Sequence, residues 1–282
     1  MNDDNVARML LNGTTTLIDD SVNAVAFGVQ VGHPIDGPCP ISGTNCAQAA
    51  SNDLIMTGGT LTTQGNFLMN IGRGRSEDPT QMARFMMSGG VVNAAGITIP
   101  EGFNPDNVLG FTSVGINAEM HVSGDSVVNT DLLRLGAADA NSVMTISDNA
   151  QVNLTDDNNG FAPGALWIEA FEAPVVGTSL LDIRDNGVLT VHGEWWTDEN
   201  GDGERGAATA SEAQYFVDNY VANGWIVANG GVGPNNVVDV TFVPTPGAGG
   251  DGVIYITAVP EPTSFGLLAL ALPFLLRLRR NR

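Results

Sequence analysis

Short runs of alternating apolar and polar residues recur through the middle of the chain, and glycine, asparagine or aspartate separates them. Each copy reads apolar-x-apolar, then a small or polar corner, then a second alternating segment. Alternation with a period of two is typical of a strand with one buried face. The copies are Leu54 to Leu61, Phe85 to Val92 and Met120 to Val127, with weaker ones at Met144 to Asn149 and Leu181 to Leu189. Each copy therefore predicts two strands joined by a tight corner.

A companion strand lies between these copies and ends in a small residue or glycine. It is clearest at Phe67 to Gly72 and Leu132 to Gly136, and a third candidate is Ala165 to Ile168. The copies begin roughly 24 to 37 residues apart, within the range of repeat architectures. A single unit of this size cannot bury its own apolar face, so neighbouring units must stack.

The predicted fold class is all-β, and the predicted architecture is a parallel β-solenoid, or β-helix, in which strands pair with those of the next coil. Glycine, asparagine and aspartate accept the left-handed backbone that tight corners demand. Glycine is also well above its usual share, at 35 of 282 residues. The alternative is a β-sandwich built from hairpins, because alternation alone does not distinguish parallel from antiparallel pairing.

The pattern changes after the repeats. Residues 197–206 are acidic and glycine-rich, and Ser211-Glu212-Ala213-Gln214 matches a capping box that opens a helix through Val221, which Gly224 ends. Three further strands are predicted at Trp225 to Val227, Val237 to Val243 and Val253 to Ile256. We expect this segment to cap the end of the solenoid and cover an edge that would otherwise recruit other chains.

The C-terminal residues have three parts in a fixed order. Pro260-Glu261-Pro262 comes first, an uncharged apolar block runs from Phe265 to Leu276, and the basic residues Arg277, Arg279, Arg280 and Arg282 follow. As a helix the block reaches only about 18 to 20 Å, less than the roughly 30 Å hydrocarbon core of a bilayer. This predicts a short transmembrane helix that anchors weakly and temporarily, with the arginines on the cytoplasmic side. The alternative is a C-terminal core helix with a solvated basic end.

In these residues the chain resembles the PEP-CTERM sorting family. The resemblance implies that an exosortase, a membrane-embedded processing enzyme, is the partner that recognises Pro260, Glu261 and Pro262. It implies export, transient anchoring in the membrane, and release or attachment at the cell surface. Between Leu54 and Val191 the repeat is also similar to glycine-rich units of PEP-CTERM and autotransporter-like surface proteins, which adds support for a right-handed solenoid.

One feature departs from that family. Exported proteins carry an N-terminal signal peptide, whereas Met1 to Asn5 is acidic and no apolar segment precedes Ala24. Either the true start lies upstream of Met1 or the chain is a fragment, and we favour the first. The predicted organisation is then residues 1–53 as N-terminal strands or a cap with a cysteine loop, 54–194 as repeats, 195–258 as a C-terminal cap, and 259–282 as the sorting signal.

Charge excludes one class of function. The net charge is −20, and all eleven basic residues are arginine. Four of them follow Leu276, so residues 1–258 carry thirty acids against seven arginines, a net charge of −23. Such a body repels nucleic acid and anionic headgroups. Cations, neutral glycans such as an exopolysaccharide, or a basic partner remain compatible with it.

Two small candidate sites lie on loops. Cys39 and Cys46 flank six residues that include a glycine, a spacing that suits a disulfide in an exported protein, with two free buried thiols as the alternative. The second loop opens at Asp198 with the pattern of a calcium-binding loop. Its twelfth position is Thr209, where such a loop has a glutamate, so a solvated acidic turn is the alternative. Its predicted ligands are Asp198, Asn200, Asp202 and Glu204.

Catalytic signatures are missing from the sequence. Gly124-Asp125-Ser126 faintly resembles one esterase block but reads better as a repeat corner, and the three histidines have no ligand-like spacing: His33, His121 and His192. We therefore predict a non-catalytic surface or matrix protein used for adhesion or structure. The alternative is a carbohydrate-binding or carbohydrate-active β-helix with acids, Arg134 or Arg184 and an exposed tryptophan in one groove. The paired tryptophans Trp195 and Trp196 are candidates for that tryptophan, or for a hydrophobic cap.

Overall fold

The computed structural model describes strands before the repeats, most of the repeat region and much of the segment that follows it. The described ranges are residues 7–11, 13–18, 27–31, 52–64, 68–72, 75–76, 82–99, 114–115, 117–136, 141–155, 164–168, 178–193, 207–231, 236–247 and 251–259.

The chain contributes strands to three sheets, A, B and C, in a fixed order that repeats. We call one passage through the three sheets a round. Two short strands, β7 and β11, pair with each other outside this order. The strands in chain order are β1 (Ala7–Leu11), β2 (Thr14–Ile18), β3 (Phe27–Val31), β4 (Asn52–Met56), β5 (Thr60–Gln64), β6 (Leu68–Ile71), β7 (Arg75–Ser76), β8 (Met82–Met87), β9 (Val91–Ala94), β10 (Gly96–Ile99), β11 (Val114–Gly115), β12 (Asn117–Val122), β13 (Val127–Thr130), β14 (Leu132–Leu135), β15 (Ser142–Ile146), β16 (Gln151–Leu154), β17 (Ala165–Ile168), β18 (Ser179–Ile183) and β19 (Val188–Val191).

Each strand of a round pairs in parallel with the strand one round before it. Sheet A runs β1-β4-β8-β12-β15-β18, sheet B runs β2-β5-β9-β13-β16-β19, and sheet C runs β3-β6-β10-β14-β17. The predicted all-β class is therefore confirmed, with sheets rich in parallel strands. All five predicted strand-corner-strand copies and all three companion strands are present.

The alternating apolar residues point inward and stack in register from round to round. On sheet A one such row is Leu54, Phe85, Met120, Met144 and Leu181. On sheet B the equivalent row is Leu61, Val92, Val128, Val152 and Leu189. Every member is buried in one core cluster that also contains the inward residues of sheet C. Full burial of each such side chain contributes about 1.5–3 kcal/mol.

The corners between sheets A and B use the residues that a left-handed backbone requires. Gly90 has φ of +96°, and a Cβ there would lie 2.5 Å from the carbonyl oxygen of Gly59 in the preceding round. In later rounds aspartate takes this conformation, at Asp148 (φ 58°) and Asp185 (φ 55°). The backbone of one corner therefore lies directly against the next, and a side chain at Gly90 would separate them.

Parallel pairing extends beyond the predicted repeats. β1, β2 and β3 pair in parallel with β4, β5 and β6, so a full round precedes Leu54. Strand β10 was not predicted from the sequence. Only Ala95 separates it from β9, with no polar corner between the two strands. A buried alanine makes this turn, and it carries none of the turn signals on which the other predictions depend.

After the last round the chain forms a cap. Helix α1 (Ala210–Tyr215) continues as a π-helical segment (Phe216–Val221), then come β20 (Ile226–Ala228), a 3₁₀ turn (Asn229–Gly231), β21 (Val238–Pro244) and β22 (Gly252–Ala258). The three closing strands and the end of the helix at Gly224, with φ of +74°, agree with the prediction. β20 adds to sheet A beside β18, and the hairpin of β21 and β22 adds to sheet B beside β19.

The predicted capping box at Ser211 is wrong. The N-cap is Thr209, whose hydroxyl accepts a hydrogen bond from the backbone N–H of Glu212 at 3.2 Å. Two hydrogen bonds fix the backbone just before Thr209. The N–H of Ala208 donates to the carbonyl oxygen of His192, and the carbonyl oxygen of Ala208 accepts from the N–H of Gly252. The first residue past these bonds is therefore the N-cap, the helix starts at Ala210, and Ser211 lies exposed within its first turn.

The helix covers the end of the core. Phe216 and Tyr220 are buried, and their rings stack with centroids 5.3 Å apart. The Tyr220 hydroxyl accepts a hydrogen bond from the backbone N–H of Ile168 on β17, the last strand of sheet C. The helix thus contacts the last strand of sheet C through the Tyr220 hydroxyl.

Within the described ranges no helix combines the length and apolar character needed to cross a membrane. The predicted transmembrane segment, Phe265 to Leu276, lies outside those ranges.

Candidate functional site

The outer face of sheet B carries a continuous ladder of side-chain amides. Asn129 donates from Nδ2 to Asn93 Oδ1 at 2.9 Å, and Asn153 donates from Nδ2 to Asn129 Oδ1 at 3.0 Å. The three asparagines hold the same position on β9, β13 and β16, two residues after the strand begins. Because neighbouring parallel strands lie about 4.8 Å apart, their amides come within direct bonding reach.

Hydroxyl groups extend the ladder at both ends. Asn93 donates to Thr62 Oγ1 at 3.4 Å, and Thr190 donates from Oγ1 to Asn153 Oδ1 at 2.8 Å. Every donor points toward the preceding round, so the group dipoles are aligned and polarise one another. Beyond Thr190 the register continues to Tyr255 on β22, whose side chain is 38% exposed.

A second row of the same face lies beside the ladder and is also uncharged. Val91, Val127 and Val188 are half-buried there. In register order the row is Thr60, Val91, Val127, Gln151, Val188 and Thr257. The first charge in the described part of this row is Asp239 on β21. A chain of net charge −20 thus has a neutral strip crossing six strands. We call this surface, from Thr60 and Thr62 to Tyr255 and Thr257, the amide face.

The ladder bonds leave part of each amide available. A primary amide has two N–H donors and two acceptor lone pairs. Asn129 uses one donor toward Asn93 and one lone pair toward Asn153, so one N–H and one lone pair remain on a half-exposed side chain. The surface therefore offers donor-acceptor pairs at fixed positions, and the ladder holds the amides in place.

Ion pairs occupy the outer face of sheet A. Arg84 Nε lies 2.9 Å from Asp53 Oδ1, His121 Nε2 lies 3.1 Å from Glu119 Oε2, and Arg184 Nε donates to Asp182 Oδ2 at 2.6 Å. Asp182 also accepts a hydrogen bond from the backbone N–H of Gly230 in the cap. The Arg84–Asp53 pair links neighbouring strands, and the other two contacts join residues two apart in the chain; the His121 contact is an ion pair only when the imidazole is protonated.

On sheet C the Arg134 guanidinium lies 4.2 Å from the centroid of the Trp167 ring. The two residues are register partners on β14 and β17, so the contact joins consecutive rounds. Arg184, the other arginine predicted for a saccharide groove, follows β18 in sheet A. The two arginines therefore lie on different sheets.

The corners carry a second polar ladder. Asn149 donates to Asp125 Oδ1 at 3.1 Å, and Asn186 donates to Asn149 Oδ1 at 3.2 Å. Asp148 Oδ2 accepts from the backbone N–H of Gly124 at 2.9 Å. Ser126, which the sequence analysis assigned to a corner, is fully buried and donates to Ser123 O at 2.6 Å. The contacts of Asn149, Asn186 and Asp148 join the corners of successive rounds, whereas the Ser126 bond lies within one corner.

The cap holds one perturbed titratable group. Burial, and secondarily the negative charge of Glu212, raises the pKa of Tyr215 above its ordinary value of 10.0. Both effects disfavour the phenolate.

The remaining predicted site residues lie outside the described ranges. They are the sorting residues Pro260, Glu261 and Pro262, the basic residues Arg277, Arg279, Arg280 and Arg282, the loop acids and amide Asp198, Asn200, Asp202 and Glu204, the cysteines Cys39 and Cys46, and Trp195, Trp196 and His33. Of the other histidines, His121 lies on sheet A and His192 follows β19 in sheet B. In the part of the chain that is described, no three His, Cys, Asp or Glu residues group closely enough to hold a metal ion.

The amide face was not predicted from the sequence. Its signal is present in the repeats as Val-Val-Asn-Ala, Val-Val-Asn-Thr and Gln-Val-Asn-Leu, which place asparagine at one position after each corner. Only the parallel register shows that these positions are neighbours.

Comparison with known proteins adds no relative: no protein-family model, curated protein sequence or solved structure matches the chain.

Proposed function

We propose that this protein is an exported, non-catalytic surface or extracellular-matrix protein whose body is a right-handed parallel β-solenoid. The observation that carries the proposal is the rotation of the chain through three parallel sheets around one core. Parallel strands joined by crossovers are right-handed in nearly all proteins. A stack of this kind is a stiff scaffold that presents long, regular faces.

The chemistry of the described outer faces favours a structural role. Their carboxylates, guanidinium groups and amides bond to one another between rounds, as in Arg84 to Asp53 and Asn129 to Asn93. Catalysis instead needs groups that converge on a reacting atom. Side chains that tie one round to the next stabilise the scaffold.

Sorting is the second part of the proposal, and the resemblance of the last residues to PEP-CTERM signals supports it. An exosortase would recognise Pro260, Glu261 and Pro262 while the segment from Phe265 to Leu276 rests in the membrane. The arginines after Leu276 would hold the C-terminus on the cytoplasmic side. Cleavage then leaves the body outside the cell, free or attached to its surface.

Intact-mass analysis of native protein from the producing cell tests the sorting. We expect a mature chain that lacks the residues after about Val259 and is recovered outside the cytoplasm. A variant with Pro260→Ala and Pro262→Ala should keep its tail and collect in the membrane pellet, whereas Pro246→Ala, a proline of the cap, should be processed normally. Full-length protein dissolved in the cytosol with Arg282 intact would refute the proposal.

A carbohydrate-binding body that carries the same sorting signal is the second candidate function. The observation in its favour is the amide face, an uncharged strip on an acidic protein. Arg134 and Arg184, the alternative arginines of the predicted saccharide groove, belong to different sheets, and Arg134 lies against the Trp167 ring.

A further inference from the structure

We propose that the amide face binds a neutral, extended polysaccharide laid across the strands of sheet B. This inference deepens the second candidate function, since it assigns the site and the class of glycan. It also depends on the proposed export, because matrix glycans are found outside the cell.

Charge selects the kind of partner. A body with a net charge of −23 repels anionic polymers. Between Thr60 and Thr257 the described outward residues of sheet B carry no charge, although ion pairs occupy the outer face of sheet A. A neutral glycan meets no repulsion there and costs the protein no desolvation of an ionised group. A second copy of this chain is disfavoured because it carries the same charge of −20.

Spacing selects an extended chain. The amides repeat at the strand spacing of about 4.8 Å, which is close to the length of one pyranose unit in an extended β-linked glucan. A sugar can thus place a hydroxyl group at each of Asn93, Asn129 and Asn153, whereas Thr190 is buried and holds Asn153. Because the bonds between Asn93, Asn129 and Asn153 already fix the amides, little side-chain entropy is lost on binding.

Apolar groups supply the second component of sugar recognition. Val91, Val127 and Val188 lie half-buried beside the ladder, where they can contact the C–H faces of pyranose rings. Tyr255 is 38% exposed at the far end, and its ring offers a flat apolar surface with a polar hydroxyl. The face therefore combines amides, hydroxyls and one aromatic ring along a single line.

The test uses the purified full chain with cellohexaose in titration calorimetry and with microcrystalline cellulose in a depletion assay. We expect the parent protein to bind both. Tyr255→Ala and Asn129→Ala should each lower the association constant about tenfold, equivalent to about 1.4 kcal/mol. Two controls should bind as the parent does: His121→Ala, on sheet A in the same round as Asn129, and Trp167→Ala, an aromatic residue on sheet C.

Four results would overturn the inference. They are absence of binding by the folded parent, unchanged binding by Tyr255→Ala, loss of binding by Trp167→Ala, and equal binding of anionic alginate. Tyr255 is on the surface, so its variant keeps the test valid if Asn129→Ala fails to fold. If the chain is processed and exported but does not bind cellohexaose, only this inference is refuted. If the chain binds cellohexaose but stays in the cytosol and retains Arg282, the proposed export is refuted.

Discussion

At Gly90 the backbone of one round lies against the backbone of the round before it. This contact limits which residues fit at the corner. The added Cβ of any other residue would meet Gly59 O at 2.5 Å and Gly58 C at 2.8 Å. Asp148 and Asp185 tolerate positive φ in later rounds, where the corner holds one more residue before the next strand begins. The residue types that a corner accepts therefore differ from round to round.

Gly90→Ala should lower the free energy of unfolding by at least about 2 kcal/mol, since it combines a strained φ with a backbone clash. Gly58→Ala is the matched control, because nothing lies within 4 Å of its Cβ position. It should change stability by less than about 0.5 kcal/mol. Urea unfolding of both variants measures the difference, and equal stabilities would show that the rounds are not packed at the corner as described.

Tyr215 makes the cap sensitive to alkali. Its pKa is raised in the folded protein by burial and then by Glu212, so the unfolded chain loses this proton first. The stabilisation is complete below the unfolded pKa of about 10 and is lost as the pH rises from there through the folded pKa. The chain has no lysine, so tyrosine ionisation dominates proton release in this range.

Tyr215→Phe should therefore lose less stability than the parent between about pH 9 and pH 11. Urea midpoints at both pH values, with tyrosinate absorbance followed in parallel, provide the measurement. Tyr255→Phe, at an exposed position, serves as the control. The assignment fails if the alkaline loss of stability is the same in Tyr215→Phe as in the parent.

At helix α1 a local sequence signal and tertiary contacts together decide which residue is the N-cap. Thr209-Ala-Ser-Glu212 and Ser211-Glu-Ala-Gln214 both match a capping box. The bridges of Ala208 to His192 and Gly252 select the first of them. The second half of the helix is π-helical, with Ala222 N donating to Val217 O, so that Phe216 and Tyr220 both face the core.

Thr209→Ala should cost about 1 kcal/mol of stability because the N–H of Glu212 loses its cap. Ser211→Ala should be nearly neutral, or slightly stabilising, since alanine has the higher helix propensity. Thermal unfolding followed by circular dichroism compares the two variants. A larger loss from Ser211→Ala would place the N-cap where the sequence pattern alone put it.

At the largest scale, the strands of each described round pair with those of the round before, and the cap adds strands next to the last round. Stability in such a stack depends on the rounds and on the interfaces between them. Phe216 and Tyr220 cover the last round, and Tyr220 bonds to the backbone of β17. The cap therefore protects the end of the core nearest to it most strongly.

Phe216→Ala should destabilise the protein by about 3–5 kcal/mol. Amide hydrogen exchange should rise most in β17, β18 and β20 and least in β4 and β5, because coupling passes from neighbour to neighbour. Val217→Ala, at the adjacent exposed residue, should leave the exchange pattern unchanged. A uniform rise across all three sheets would show that the stack unfolds as one cooperative unit.

Much of the local structure could be predicted because it depends on neighbouring residues. Leu54-Ile-Met and Met120-His-Val alternate with a period of two, and the glycines and aspartates between strands mark the corners. The strand β10 escaped prediction because Ala95 is an ordinary small residue at its turn. The amide face escaped because Asn93 and Asn129 are 36 residues apart and only the register makes them bond.

The sequence by itself determined most strands and corners of the repeats, the helix and strands that follow them and the acidity of the body, since each follows from short-range pattern or simple composition. The tertiary structure decided which strands pair, which N-cap the helix uses and which polar side chains meet, because these depend on contacts between rounds distant in the chain. The amide face belongs to this second group. Its asparagines are common surface residues in the sequence, and parallel stacking turns them into one continuous surface.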